Sequence, residues 1–160
     1  MNRLISACAF AATAFAEYER FKEVMEWYNY DWEPVKVTTE DGFILTAFHI
    51  TGNGKELFKP TMPPVLIMHG DFGDGTDWFD AYNGNDIQPM HLKLADAGYD
   101  VYIGNNRGTE YSQEHVSLTP DQAEFWDWSW AEMGLYDDLA LIKEMKARSE
   151  FDKVFYIGYS

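Results

Sequence analysis

A serine on a tight turn is the residue best placed to do chemistry. The sequence closes on Val154-Phe155-Tyr156-Ile157-Gly158-Tyr159-Ser160, a β-branched and aromatic run leading into Gly-x-Ser. A strand enters a nucleophile elbow in this way, the sharp strand-to-helix turn of G-x-S-x-G that lifts a catalytic hydroxyl clear of the backbone. Gly158, Tyr159 and Ser160 fill the first three positions of that pattern. The second chemical feature is His69-Gly70-Asp71, directly after the apolar run Val65-Leu66-Ile67-Met68. A serine ester hydrolase needs backbone N–H donors where the oxyanion develops, and a loop leaving a strand can supply one. Each feature alone has a blander reading, a loop that needs glycine for backbone reasons.

The elements that must position these residues can be read from the pattern of apolar positions. Residues 33–38 and 43–50 read as two strands of a hairpin, and Thr39-Glu40-Asp41-Gly42 is its turn, with Asp-Gly supplying a positive φ. Glu17 to Met25 reads as a short helical or irregular lead-in, and the stretch from Thr51 to Pro64, with its glycines and prolines, as a surface loop. The continuous apolar run 65–68 suits a strand covered on both faces. A helix over Ile87 to Ala97 stops at Gly98, the next strand runs over 99–103, and Gly104 to Gly108 is a loop. The spacing of Leu135, Leu139, Ile142 and Met145 predicts one apolar face on a helix over 131–148, followed by the strand 154–157. Strands alternating with helices imply an α/β fold with a mostly parallel sheet, and the leading hairpin adds an antiparallel edge. Catalytic groups in open sheets of this kind gather at the C-terminal ends of the strands, where both His69-Gly70-Asp71 and Gly158-Tyr159-Ser160 fall.

Composition narrows the function. Residues 1–16 carry Arg3, an apolar stretch and Ala14-Phe15-Ala16 before Glu17, the three parts of a signal peptide in order. The apolar stretch is too short to span a bilayer, which takes about 20 residues. The expected domain is therefore 17–160, and the leader implies secretion or lysosomal delivery. The one cysteine, Cys8, lies in the leader, and there is no Asn-x-Ser/Thr sequon. The net charge is −15, and removing Arg3 leaves 11 basic against 27 acidic residues. So acidic a chain is a poor match for nucleic acid or for anionic membranes. With 46% apolar and 17% aromatic residues it has the material for a packed core.

Five ordered blocks give the sequence a specific resemblance. They are Thr39-Glu40-Asp41-Gly42-Phe43-Ile44-Leu45; His69-Gly70 with Trp78; Leu94-Ala95-Asp96-Ala97-Gly98-Tyr99-Asp100-Val101; Gly104-Asn105-Asn106-Arg107-Gly108; and Phe125-Trp126-Asp127-Trp128-Ser129-Trp130-Ala131-Glu132-Met133 with Tyr136-Asp137. From about residue 30 to Ser160 the chain resembles the N-terminal part of the acid lipases, the family with gastric, lysosomal and plant members. The resemblance implies the N-terminal portion of an α/β-hydrolase fold and hydrolysis of lipid esters, acylglycerols or sterol esters, through an acyl-enzyme. It makes Ser160 the nucleophile and the Asp71 backbone N–H an oxyanion donor, with His69, Gly70 and Gly158 shaping the loops. It implies no cofactor and no metal. The family usually has an apolar residue where Asp71 stands, and often histidine where Tyr159 stands. Its acid and histidine follow the serine in chain order, so they are expected after Ser160, and residues 1–160 alone are expected to be inactive. A truncated non-catalytic paralogue, and an α/β-hydrolase acting on another ester or thioester, are the competing readings.

Other candidates have plainer explanations. His49 falls in a strand, His69 in the loop after 65–68, His91 in a helix and His115 in a loop, and all four read as structural or exposed. Asp71, Asp74, Asp77 and Asp80 recur every third residue, which does not match the ligand spacing of a calcium loop. The tryptophan-rich stretch 125–130 reads as packing, with contact to lipid as the alternative.

Overall fold

Three parallel strands, extended on one side by an antiparallel hairpin, form the frame. The computed structural model describes residues 18–80 and 88–160. The expected leader 1–16 and the expected helix start at Ile87 lie outside the described residues. The strands are β1 (Asp31–Thr38), β2 (Phe43–Gly52), β3 (Met62–Met68), β4 (Tyr99–Gly104), β5 (Glu114–His115) and β6 (Phe155–Gly158). Their order across the sheet is β1-β2-β4-β3-β6, with β5 paired to β2. β1–β2 and β2–β4 are antiparallel, whereas β4–β3 and β3–β6 are parallel. The expected sheet is thus the observed one, a mixed sheet with a parallel core.

Helices cover both faces. On one side lie α1 (Glu19–Tyr28) and α3 (Met90–Asp96), with the single turn α2 (Asp77–Asp80) leading away from the 69–76 loop. Phe21 and Met25 of α1 are fully buried in the core that holds Phe48, and the Phe21 and Phe48 rings stack at 3.8 Å. A ten-residue helix is marginal by itself; two such side chains, at about 2 kcal/mol each, hold it on the sheet. On the other side α4 (Trp130–Glu132), a π-helical segment (Met133–Asp137) and α5 (Asp138–Arg148) run in sequence. Side chains alternate across the strands. Val65, Ile67, Val101 and Ile103 feed the first core, while Leu66, Met68 and Tyr102 feed the second beside Leu141 and Met145. The apolar run 65–68 is accordingly covered on both faces.

Several elements depart from the sequence expectation. The lead-in is a regular helix, β3 starts at Met62 inside the expected loop, and His115 pairs Phe43 in β5 instead of lying in a loop. Only half of the apolar face expected on the last helix is buried: Met145 is core and Ile142 packs against it, whereas Leu135 is 60% exposed and Leu139 46%, and Asp137 and Leu141 face inward instead. The π turn at 133–137, which contains Leu135, adds a residue to the helical repeat and takes that position out of the 3.6-residue stripe.

Candidate active site

The register of the parallel strands brings the chemical residues to one level. Met68 stands opposite Gly104 on β4 and opposite Gly158 on β6, so the loops that follow all three strands leave the sheet together. Ser160 ends the third of these segments with φ 62°, in the left-handed region. A non-glycine residue there is uncommon, and a nucleophile elbow is a strained turn of this kind. The Tyr159 N–H donates to the Met68 carbonyl at 3.2 Å, which anchors the turn to β3.

Gly70 is where the two loops meet. A Cβ on Gly70 would lie 3.0 Å from Ser160 Cβ and 3.1 Å from the Tyr159 carbonyl oxygen, so glycine lets the 69–73 loop pass this close to the elbow. The Gly70 carbonyl accepts from His69 Nδ1–H at 2.8 Å and from the Gly73 N–H at 3.2 Å. Because the peptide is trans and planar, fixing that carbonyl aims the Asp71 N–H the opposite way. Among the described residues this N–H has no acceptor. His69 is in turn oriented from its other side: its Nε2 accepts from the Asn106 N–H at 3.1 Å, which assigns the ring proton to Nδ1. The third residue of the 70–73 turn, Phe72, has φ 63° and a fully exposed ring. At Gly158, by contrast, the three atoms nearest an added Cβ all belong to the Tyr156 side chain.

The loop that orients His69 is itself clamped. Arg107, 1% exposed, binds Asp41 through Nη1 at 2.6 Å and Nη2 at 2.9 Å. Its Nε and Nη2 also reach Asp137 Oδ1, at 2.9 and 2.7 Å, and its backbone N–H donates to Asp137 Oδ2 at 2.9 Å. The guanidinium lies 4.1 Å from the centre of the Phe43 ring. Burial acts to raise both carboxyl pKa values. At Asp41 the bonds from Arg107 and Thr39 outweigh burial and hold the group below its ordinary range. At Asp137, fully buried, the bonds from Arg107 offset burial only in part and the carboxyl stays raised. Sequence reasoning missed this network, although Asp41, Arg107 and Asp137 each sit in one of the five blocks. The S-x-x-E capping box that starts α4, Ser129 with Glu132, was also legible in the sequence.

Above the loops opens a cleft of about 540 Å³, lined among others by Asp71, Phe72, Glu110, Trp126, Trp128 and Trp130. The tryptophan-rich stretch therefore divides. Phe125 is core, while Trp126, Trp128 and Trp130 face the cleft. His91 is fully buried on α3, with neither ring nitrogen paired among the described residues. His49 contacts Asp100 and Glu33 beside α5. His115 donates through Nε2 to the Asp41 carbonyl and accepts at Nδ1 from the Leu118 N–H. None of these three is part of the Gly70–Ser160 arrangement. Among the described residues no group of three or more His, Cys, Asp or Glu side chains is arranged to hold a metal, and no helix is long and apolar enough to cross a membrane.

Known proteins resemble this chain in sequence and in fold. Residues 21–81 match the family model described as a partial alpha/beta-hydrolase lipase region. Lipase 1 of Drosophila melanogaster is 41% identical over 133 residues, covering 83% of this chain and 28% of the relative. Gastric triacylglycerol lipase of Bos taurus is 36% identical over 139 residues, covering 86% of this chain and 34% of the relative. The chain thus spans about a third of the length of the curated relatives it matches. An esterase of Pyrococcus furiosus overlays with a TM-score of 0.53 at 18% identity, over 84% of this chain and 42% of that one. That overlap and the strand order show the N-terminal portion of an α/β-hydrolase fold.

Proposed function

From a chain that carries an α/β-hydrolase lipase region, we propose a protein that hydrolyses carboxylic esters of lipids, acylglycerols or sterol esters, with Ser160 as nucleophile. The observation that carries this reading is the left-handed Ser160 packed against Gly70, so that nucleophile and oxyanion loop share one site. Ser160 Oγ attacks the ester carbonyl and its proton passes to a base. The C–O bond to the alcohol breaks, the alcohol leaves protonated, and water then releases the fatty acid from the acyl-enzyme. The Asp71 N–H donates to the developing oxyanion, and His69 and Gly70 hold that donor in place; Gly158 starts the elbow. In this fold the acid and histidine of the triad follow the serine in chain order, and none of His49, His69, His91 or His115 is assigned that role. The leader reading of residues 1–16 goes with secretion or lysosomal delivery.

The test uses the complete protein, with any sequence that follows Ser160 in its reading frame. Tributyrin and a sterol ester are the substrates, and a fluorophosphonate is the active-site label. Ser160→Ala is expected to abolish both labelling and hydrolysis, a loss of at least about 10³-fold. Labelling and turnover that persist in Ser160→Ala would overturn the assignment.

A further inference from the structure

The cleft, which shares Gly70 with the Ser160 turn, has walls that favour a particular kind of ester. Trp126 and Trp128 lie 6.2 Å apart, their planes inclined by 37°. Their indole N–H groups are used elsewhere: Trp126 donates to the Pro120 carbonyl and Trp128 to the Phe125 carbonyl, each at 2.8 Å. The rings therefore offer the cleft carbon and π surface and no hydrogen. They approach the floor closely, since a Cβ on Gly108 would meet Trp128 Cζ2 at 2.6 Å. Trp130, 81% exposed, and the Phe72 ring add aromatic surface at the rim.

Three carboxylates line the cleft, and one of them, Asp74, is paired with Arg20 at 3.7 Å. Asp71 and Glu110 are exposed carboxylates in its lining, with no hydrogen bond or ion pair among the described residues. Arg107 also lines the cleft, but two carboxylates already occupy its guanidinium. Aromatic faces and the two unpaired carboxylates, Asp71 and Glu110, together recognise a large, weakly hydrated cation. They repel an anionic group and give a neutral one only the apolar wall.

We propose that this cleft selects esters carrying a quaternary ammonium group close to the ester bond, choline esters being the simplest. The inference rests on the ester-hydrolase reading of Ser160 above and goes beyond its neutral lipid esters to a cationic class. Butyrylcholine and its neutral carbon isostere, 3,3-dimethylbutyl butyrate, are compared on the complete protein. The expected kcat/KM ratio is at least about tenfold in favour of the cation. It should fall toward one in Glu110→Gln, in Trp130→Leu and at high salt. A ratio near one in the unmodified protein overturns the inference while leaving the hydrolase reading intact. If neither ester is cleaved and no fluorophosphonate label appears, the hydrolase reading fails instead. The cation site is then judged by titrating tryptophan fluorescence with tetramethylammonium. A saturable response that Glu110→Gln abolishes upholds the site, and no response overturns it. A parallel assay on short-chain phosphatidylcholine and phosphatidylglycerol micelles distinguishes the sources: preference for the choline lipid points to a headgroup, and inert lipid with active butyrylcholine points to a free ester.

Discussion

His91 shows how a single buried side chain can set a pH response. It lies fully buried on α3, edge-on to Phe79 at 4.2 Å, and burial pushes its pKa down to about 3. An unfolded histidine titrates near 6.5. Between those values the unfolded chain holds a proton that the folded one does not, so folding stability declines as pH falls through that window. Each pH unit below 6.5 costs about 1.4 kcal/mol. His91→Leu removes this dependence. Thermal unfolding of the complete protein should give variant and parent similar midpoints at pH 7, and at pH 5 the variant should be more stable by about 2 kcal/mol. A parallel loss at both pH values would mean that the imidazole is chiefly a packing group.

The elements around the site are tied together by one cation, and the sequence could not disclose it. Asp41 is 66 residues from Arg107 and Asp137 is 30 residues away, so no local spacing links them. Only the hairpin turn, the loop after β4 and the π segment brought side by side show the hub. The π turn also explains why a regular helical stripe misplaced Leu135 within 131–148. By contrast, the turn at 39–42, the apolar strand 65–68 and the elbow strand were legible, because short continuous apolar runs and glycine chemistry are local properties. Arg107→Met should be strongly destabilising, by about 3–5 kcal/mol, since it leaves Asp137 buried without its counter-charge. Adding Asp137→Leu should restore a large part of that loss. The pH trend has a definite sign. Asp137 has a folded pKa above its unfolded one, so the folded state takes up the proton and gains stability as pH falls through the folded value. The deficit of Arg107→Met, measured by urea unfolding, should therefore shrink toward acidic pH. A deficit that grows on acidification would show that loss of the Asp41 contact dominates.

At the scale of the whole molecule the two ends of the sheet differ. β1 closes one end with Glu33, Pro34 and Lys36, charges and a proline that discourage further pairing. At the other end β6 has a neighbour on one side only among the described residues, β3. Its sequence is Phe-Tyr-Ile-Gly, without a charge, and Phe155 and Tyr156 are 52% and 48% exposed. A flat apolar strand with unpaired N–H and C=O groups is a template for another strand. The net charge of −15 opposes association over distance, but a Debye length of about 8 Å at physiological salt leaves little repulsion between edges already in contact. Residues 18–160 expressed alone are therefore expected to self-associate through β6, increasingly so as salt is added. Sedimentation velocity should find species larger than a monomer, and Tyr156→Lys or Ile157→Lys should return the fragment toward monomer by placing a charge on the open edge. A monomeric fragment that unfolds cooperatively without either substitution would show that β6 is already protected within these residues.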